Sequence, residues 1–342
     1  MKKVRVAVIG CGVIGPTHVE CYKAIKNVEI TWLCDLDESK ASKTAEKFGI
    51  APRVTASAAE VFAAPDVDAV SICTDHASHA ALVAAALKAG KDVLCEKSLT
   101  ENSASLKKML AAAAKYPDRI FSGVFQHRFD PINRAVKAIL DEGLLGTLLT
   151  AGIQLRCYRS NEYYTGDPWR GTIKYEGGSV LINQAIHYID QLLWLTGGFE
   201  KVVGVTANRS HQGVIETEDT AAAVLRLKNG AIGIIDATCS SNIGWESTLA
   251  FHGVDGALEI RDDKVAKLNL KDKKLEAKVA KRLERAISPK GVKNAKNYYG
   301  SGHPAQIADF ADAVAKRRAP FVTGQSAAET AAAVFAIYAA AK

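Results

Sequence analysis

The chain has 342 residues, too long for one comfortable core and about right for two domains. With 48% hydrophobic and 24% charged residues it excludes a disordered chain, a collagen-like fibre and a disulfide miniprotein, and no apolar run approaches the ~18 residues that cross a bilayer. The formal charge of +7 raises nucleic acid as a partner, which the position of the charge must decide.

Met1-Lys2-Lys3-Val4-Arg5-Val6 runs into a strand at once, with no signal-peptide apolar region ahead of it. Seven cysteines, an odd number with no CxxC spacing, fit buried thiols in a reducing compartment. A cytoplasmic protein is expected. Residues 4–9, 28–34, 67–73, 92–95 and 120–124 are short, apolar and rich in β-branched side chains, which predicts buried parallel strands. Residues 14–26, 38–48, 77–88 and 103–115 between them read as helices. This alternation predicts an α/β unit with a doubly wound parallel sheet over residues 1–124.

The pattern then changes. A helix over 131–142, a strand over 148–158 and a long helix over 179–195 are followed by strands over 201–208, 220–227, 231–238, 247–252, 257–260 and 265–270. Asn229-Gly230 and Asp255-Gly256 are hairpin signals. Residues 264–296 hold twelve Lys or Arg against three acidic residues, a local +9 on a body that is otherwise −2. Nothing there resembles a nucleic-acid motif, so no nucleic-acid partner is expected. Residues 271–285 fit an amphipathic helix with Leu275, Val279, Leu283 and Ile287 on one face, either a solvated surface helix or a flap that attracts an anionic substrate. Helices over 304–316 and 326–341 close the chain. Residues 125–342 are expected to form a C-terminal α+β domain on an open, mostly antiparallel sheet.

Gly10-Cys11-Gly12-Val13-Ile14-Gly15 follows the first strand and opens the first helix. Gly10 permits the tight turn, Gly12 the approach of a pyrophosphate, and Gly15 close helix–strand packing. The helix N-terminus offers free N–H groups to phosphate. The second strand ends in Cys34-Asp35 at the distance of a ribose-binding carboxylate. These features predict a Rossmann domain. Asp35 accepts from ribose hydroxyls and repels a 2′-phosphate, favouring NAD over NADP, or else it caps the next helix.

Lys97 stands just past the fifth strand, at the sheet edge where ligands sit. On the long helix Asn183, His187 and Asp190 are spaced i, i+4, i+7 and share a face, behind Gly177-Gly178. Oxidation of a secondary alcohol needs a base that titrates near neutrality and a cation near the oxygen, roles that suit His187 and Lys97. Arg156, Tyr158, Arg159, Tyr163, Tyr164, Trp169 and Arg170 form a basic and aromatic cluster, either a sugar-binding wall or a solvated loop with some core aromatics. No histidine spacing supports a metal site.

These residues together resemble the glucose–fructose oxidoreductase, inositol dehydrogenase and MocA family. Gly90-Lys91-Asp92-Val93-Leu94-Cys95-Glu96-Lys97 is similar to its Gly-Lys-His-Val-Leu-x-Glu-Lys-Pro segment. Arg128-Phe129-Asp130-Pro131, Glu176-Gly177-Gly178 through His187 and Asp190, and His303 through Phe310 with Pro320 resemble further stretches of it. The resemblance covers essentially the whole chain. It implies cofactor contacts from Gly10, Gly12, Val13, Ile14, Gly15, Asp35, Thr74, His76, His79, Glu96 and Lys97. It implies substrate contacts from Arg128, Tyr158, Trp169, Arg170, Asn183 and Asp190, with Lys97 and His187 catalytic.

Three departures matter. Ser98 replaces the usual Pro, which predicts a trans Lys97–Ser98 bond, since cis before Ser costs about 3–4 kcal/mol. Asn183 replaces the usual Asp, which moves proton transfer onto His187 and leaves Asn183 to hydrogen-bond a substrate hydroxyl. Thr74-Asp75-His76 stands where Thr-Pro-Asn is common, and His79 either lies near the nicotinamide ribose or caps a helix.

The expected activity is an NAD-dependent sugar or polyol dehydrogenase, with a pyranose C3 hydroxyl favoured. The alternatives are a UDP-N-acetyl-glucosaminuronate-type dehydrogenase, an inositol dehydrogenase, a sugar-responsive binding protein without turnover, and a reductase of imines or linear tetrapyrroles. The apolar sheet face predicts a homo-oligomer, a dimer or tetramer.

Overall fold

The structure is a computed structural model that describes residues 3–286 and 301–341. Contacts divide the chain into two units, residues 1–126 with 303–328, and residues 127–302 with 329–342. A contiguous cut at residue 124 does not anticipate the return of 303–328 to the first unit.

The first unit begins β1 (Val4–Ile9), α1 (Gly15–Lys23), β2 (Val28–Cys34), α2 (Glu38–Phe48), β3 (Arg53–Thr55) and α3 (Ala58–Ala63). It continues β4 (Ala69–Ile72), α4 (His76–Lys88), β5 (Asp92–Cys95), α5 (Ser103–Ala113) and β6 (Phe121–Gly123). The sheet order is β3-β2-β1-β4-β5-β6 with every pair parallel. Val6, Val8, Leu33, Ala69, Val70, Val93 and Leu94 are fully buried, as strands covered on both faces require. Side-chain caps start four helices, Asp37 on α2, Ser57 on α3, Asp75 on α4 and Asn102 on α5. The order reverses between β1 and β4, so the carboxyl ends of these strands flank the switch-point crevice. β3 and α3 are short elements that the apolar pattern did not reveal.

The second unit holds α6 (Pro131–Asp141), β7 (Leu148–Tyr158), α7 (Asn161–Thr165), a π-helical turn (Val180–Gln184) and α8 (Ile186–Thr196). Then come β8 (Phe199–Ala207), β9 (Thr220–Leu227), β10 (Ile232–Thr238), β11 (Ser240–Gly253), β12 (Gly256–Arg261), β13 (Lys264–Leu270) and α9 (Lys273–Ala286). The order β13-β12-β11-β7-β10-β9-β8 is antiparallel except for β7 with β10. Ile153, Leu155, Leu225, Leu227, Ile235 and Phe251 line the buried face. The final helices are α10 (His303–Lys316) and α11 (Gly324–Ala340).

One expectation is corrected here. Residues 179–195 are not one α-helix. Ala185 N–H reaches back to Val180 O at 2.7 Å, a wider turn than the α bond, before α8 begins. The buried Glu218 carboxylate accepts the N–H groups of Ser179 and Leu181 and holds the start of that turn. The basic segment is partly defined. α9 buries Val279 and Leu283 and exposes Lys274, Lys278 and Lys281, while Ile287 and the rest of the basic segment to 296 lie outside the described residues. Among the described residues no helix is long and apolar enough to cross a membrane.

Candidate functional site

The glycine turn of the first unit lies between β1 and α1. A Cβ on Gly10, at φ +93, would stand 2.5 Å from Cys73 O, and one on Gly15 would stand 2.1 Å from Gly10 O. Both positions are glycine because the protein's own backbone leaves no room. Gly12 differs, since a Cβ there would meet nothing within 4 Å. Gly12 and Val13 are exposed and Ile14 is half-buried. No side chain caps the start of α1. Pro16 brings no N–H, and Thr17 and His18 donate theirs to Ile14 O, so it is the open surface over Gly12 at the positive end of the helix that fits an anionic group such as a pyrophosphate.

Asp35 follows β2. Its Oδ2 accepts Cys11 N–H at 2.8 Å and its Oδ1 accepts Asp37 N–H at 3.0 Å. The helix cap is Asp37, which accepts Ser39 N–H at 3.0 Å, so the capping alternative for Asp35 is set aside. Each Asp35 oxygen retains a lone pair, and the residue is half-buried. Burial and the nearby Asp35 charge push the Cys11 thiol up to about 12, which keeps it neutral beside the turn.

The loop after β5 carries Glu96, Lys97 and Ser98. Sequence reasoning did not foresee what lies beneath it. His18 on α1 is fully buried, with Nε2 2.9 Å from Glu96 Oε1 and Nδ1 3.1 Å from Ser71 Oγ. Tyr22 Oη is 2.8 Å from the same Ser71 Oγ. The available signal was the i, i+4 spacing of two polar-tipped rings on the inner face of α1. Glu96 Oε2 accepts Lys97 N–H at 3.0 Å. Burial pushes the Glu96 carboxyl up, but the His18 hydrogen bond and the charges of His18, His303 and Lys97 outweigh it and hold it down at about 2. Lys97 is half-buried and partnered within the structure.

The Lys97–Ser98 peptide is cis, a correction to the expectation. The argument for trans concerned the isolated bond; here Ser98 is fully buried, and its carbonyl oxygen lies 2.9 Å from His79 Nδ1. His79 Nε2 is 3.2 Å from Thr74 O. His79 is thus buried between two backbone segments, and burial lowers its pKa. The cap of α4 is Asp75, so His79 does not cap. Thr74 is half-buried and His76 is buried.

In the second unit Asn183 and His187 are half-buried. Asn183 lies on the π turn and donates its side-chain N–H to Glu176 Oε1. His187 lies on the first turn of α8, its ring 5.3 Å from that of His127 in an edge-to-face contact. Asp190 behaves differently from the other two. It is fully buried and receives Arg128 Nε at 2.8 Å and Nη2 at 2.5 Å, with Thr330 Oγ1 at 2.7 Å. The geometry of Arg128 and Asp190 is that of an internal brace, not of two groups lining an open wall. Sharing a helical face did not make the three equivalent, because Arg128 and Thr330 close over Asp190 while Asn183 and His187 stay half-buried.

The aromatic and basic cluster has one centre, the Tyr163 ring, with the Arg170 guanidinium 4.1 Å and the Arg159 guanidinium 4.9 Å from its centroid. Arg159 also donates to Gln184 Oε1 at 2.8 Å, and Arg170 pairs with Asp167 at 3.0 Å. Trp169 is half-buried and Tyr158 is 52% exposed, so Tyr158 is open to solvent in this unit.

The family profile described as "oxidoreductase family, NAD-binding Rossmann fold" matches residues 4–124, and the "GFO/IDH/MocA C-terminal domain" matches residues 133–259. A myo-inositol 2-dehydrogenase of Thermotoga maritima is 30% identical over 261 residues, covering 74% of each chain. An inositol 2-dehydrogenase of Azotobacter vinelandii is 26% identical over 324 residues, covering 94% of this chain and 88% of its own. Among solved structures, the WlbA dehydrogenase of Bordetella pertussis, in complex with NADH and UDP-GlcNAcA, superposes with a TM-score of 0.89 at 24% identity, covering 99% of this chain and 96% of its own.

Proposed function

The chain belongs to the GFO/IDH/MocA family of NAD-binding oxidoreductases, and from that premise we propose that it is an NAD-dependent dehydrogenase acting on a secondary alcohol of a sugar or polyol. The observation that carries the reading is a half-buried histidine, His187, following a turn that fixes the amide of Asn183, in a chain whose first unit has the dinucleotide turn.

The first unit suits NAD. Gly12 leaves open space for the pyrophosphate, the start of α1 supplies the positive end of the helix dipole, and Asp35 keeps lone pairs for ribose hydroxyls. The Asp35 charge disfavours a 2′-phosphate, which supports NAD over NADP. Val13, Ile14 and Thr74 border the turn. His76 and His79, being buried, act by shaping the backbone. When bound, the nicotinamide exchanges a hydride with the carbinol carbon.

The protein's own groups handle the proton and the charge. His187 takes the hydroxyl proton in oxidation and returns it in reduction, as a side chain with an ordinary pKa near neutrality can. The Lys97 ammonium stabilises alkoxide character on the oxygen. Glu96, held by His18, fixes the backbone that carries Lys97. Asn183 orients a substrate hydroxyl, and Arg128 with Asp190 braces the α8 segment. Trp169, Arg170 and Tyr158 are assigned to the substrate's outer groups.

The named relatives support cyclic polyhydroxy substrates, an inositol for the sequence relatives and a UDP-linked uronate for the structural neighbour. The second unit is assigned substrate binding and self-association. Val203, Val205, Val224, Ile232 and Ile234 are exposed together on one sheet face, with Ile234 opposite Val224 and Val224 opposite Val203. This apolar face supports a homo-oligomer. Seven buried free thiols support the cytoplasmic reading.

The test is NADH fluorescence on the purified chain with NAD and a panel of monosaccharides, inositols, glycosides and UDP-sugars. Substrate-dependent NADH formation is expected. Tight NAD binding with no turnover on any of them would favour the binding-protein reading instead.

A further inference from the structure

Glu176 precedes the Gly177-Gly178 pair and is 1% exposed. One carboxylate oxygen, Oε2, accepts the N–H of Gly171, and the other, Oε1, accepts the side-chain N–H of Asn183. Its own N–H donates to Thr172 O at 3.2 Å. Gly177 sits at φ +83, and a Cβ on Gly178 would stand 2.0 Å from Tyr338 Oη, so the backbone leading to the π turn has little room to shift. Asn183 is held in that turn by its N–H to Ser179 O at 2.9 Å.

An ionised carboxylate only accepts. The end of the Asn183 amide that meets Glu176 is therefore its NH2, and the carbonyl oxygen is the opposite end. We propose that Glu176 is a positioning residue that fixes the polarity of the Asn183 amide, so that Asn183 meets the substrate through its carbonyl oxygen and selects a hydroxyl donor at that position. This rests on the dehydrogenase reading above. It also explains why an amide occupies position 183: a carboxylate there would face Glu176 directly, and two carboxylates in contact cannot both stay ionised.

Among the described residues, the phenols of Tyr163 and Tyr164 on α7 and Tyr338 on α11 interact with Glu176. Tyr338 donates to Glu218 at 2.8 Å, and Arg159 and Arg170 flank Tyr163. Burial raises all three phenols above their ordinary range and raises the Glu218 carboxyl as well, and Glu218 and His187 are common to every variant, so the response of the 176–183 pair is read as the ratio of variant to parent at each pH.

The experiment compares four proteins: the parent, Asn183→Asp, Glu176→Gln and the double variant. The double variant exchanges carboxylate and amide while conserving these two hydrogen bonds, since the new amide at 176 can accept from Gly171 and donate to the new carboxylate at 183. With a substrate found on the panel, Asn183→Asp alone should lose at least about tenfold in kcat/KM at neutral pH, and its ratio to the parent at the same pH should recover as pH falls. The double variant should return to within about threefold of the parent and lose that pH dependence. Parental activity and pH profile in Asn183→Asp, or a double variant no better than the single, would overturn the proposal. If the parent turns over none of the substrates, the dehydrogenase reading is what fails. The pair is then decided by urea midpoints across pH: a pH-dependent loss in Asn183→Asp that the double variant repairs supports it, and additive losses overturn it.

Discussion

Glu96 lies against His18, with Oε1 2.9 Å from the imidazole Nε2 and neither side chain reached by solvent to any extent. The two residues come from α1 and the end of β5, so their contact ties the glycine-turn helix to the segment that carries Lys97. The Glu96 pKa, lowered to about 2, links this contact to pH. A carboxyl whose folded pKa is depressed stabilises the fold above its unfolded value, near about 4.3, and that stability fades as pH falls toward the folded value. Glu96→Gln should therefore flatten the loss of stability between about pH 4.3 and pH 2, measured as urea midpoints across that range. An acid limb unchanged by the substitution would show that Glu96 is not held ionised by its surroundings.

The glycines of the first turn should separate into two kinds. Gly10→Ala forces a Cβ against Cys73 O at a positive φ and should lower the unfolding temperature sharply. Gly12→Ala meets nothing within 4 Å, so the fold should keep its stability while NAD binding weakens by tenfold or more, a loss on the order of 1.4 kcal/mol. Thermal unfolding and NAD titration of both variants check this. Equal NAD affinity in Gly12→Ala and parent would contradict the pyrophosphate assignment.

Asp35→Ser should shift the cofactor preference. Removing the carboxylate lowers kcat/KM for NAD, since hydrogen bonds to charged groups are worth about 1.5–3 kcal/mol, and it relieves repulsion of a 2′-phosphate. The NADP to NAD ratio of kcat/KM should rise. Some stability is lost too, because Asp35 also accepts Cys11 and Asp37 N–H. An unchanged ratio would remove Asp35 from the ribose site.

Arg128 and Asp190 should prove structural partners. Asp190→Ala strands a buried guanidinium, and removing one partner of such a pair costs about 3–5 kcal/mol. Urea denaturation should show that loss, and the double variant Arg128→Met with Asp190→Leu should recover part of it. A stable Asp190→Ala with raised KM alone would return Asp190 to the substrate wall.

The fold was largely legible because its signals are local. β-branched runs gave the buried strands, and Asn229-Gly230 marked the β9–β10 hairpin with Gly230 at φ +87. The turn between β12 and β13, where Asp262 and Asp263 both adopt positive φ, carries no glycine and gave no such signal. The glycine turn was readable for the same local reason. What escaped was pairing at a distance. Arg128 and Asp190 are 62 residues apart and His18 and Glu96 are 78 apart, and nothing in either neighbourhood names the partner. Helical spacing placed Asn183, His187 and Asp190 on one face, yet a π turn depends on the Glu218 carboxylate that accepts its first N–H groups, which the spacing of 179–195 does not contain.

Hydride transfer between a carbinol carbon and NAD, with His187 moving the proton, is the reaction proposed for this chain. It is tested most directly by deuterium transfer. A substrate labelled at the carbinol carbon is incubated with NAD and either the parent or His187→Ala, and the reduced cofactor is analysed by mass spectrometry. Deuterium is expected in the cofactor with the parent and, with His187→Ala, a rate lower by the 10²–10⁴-fold or so typical of losing a general base, while NAD binding stays intact. Unlabelled reduced cofactor, or full transfer at the parental rate without His187, would contradict it.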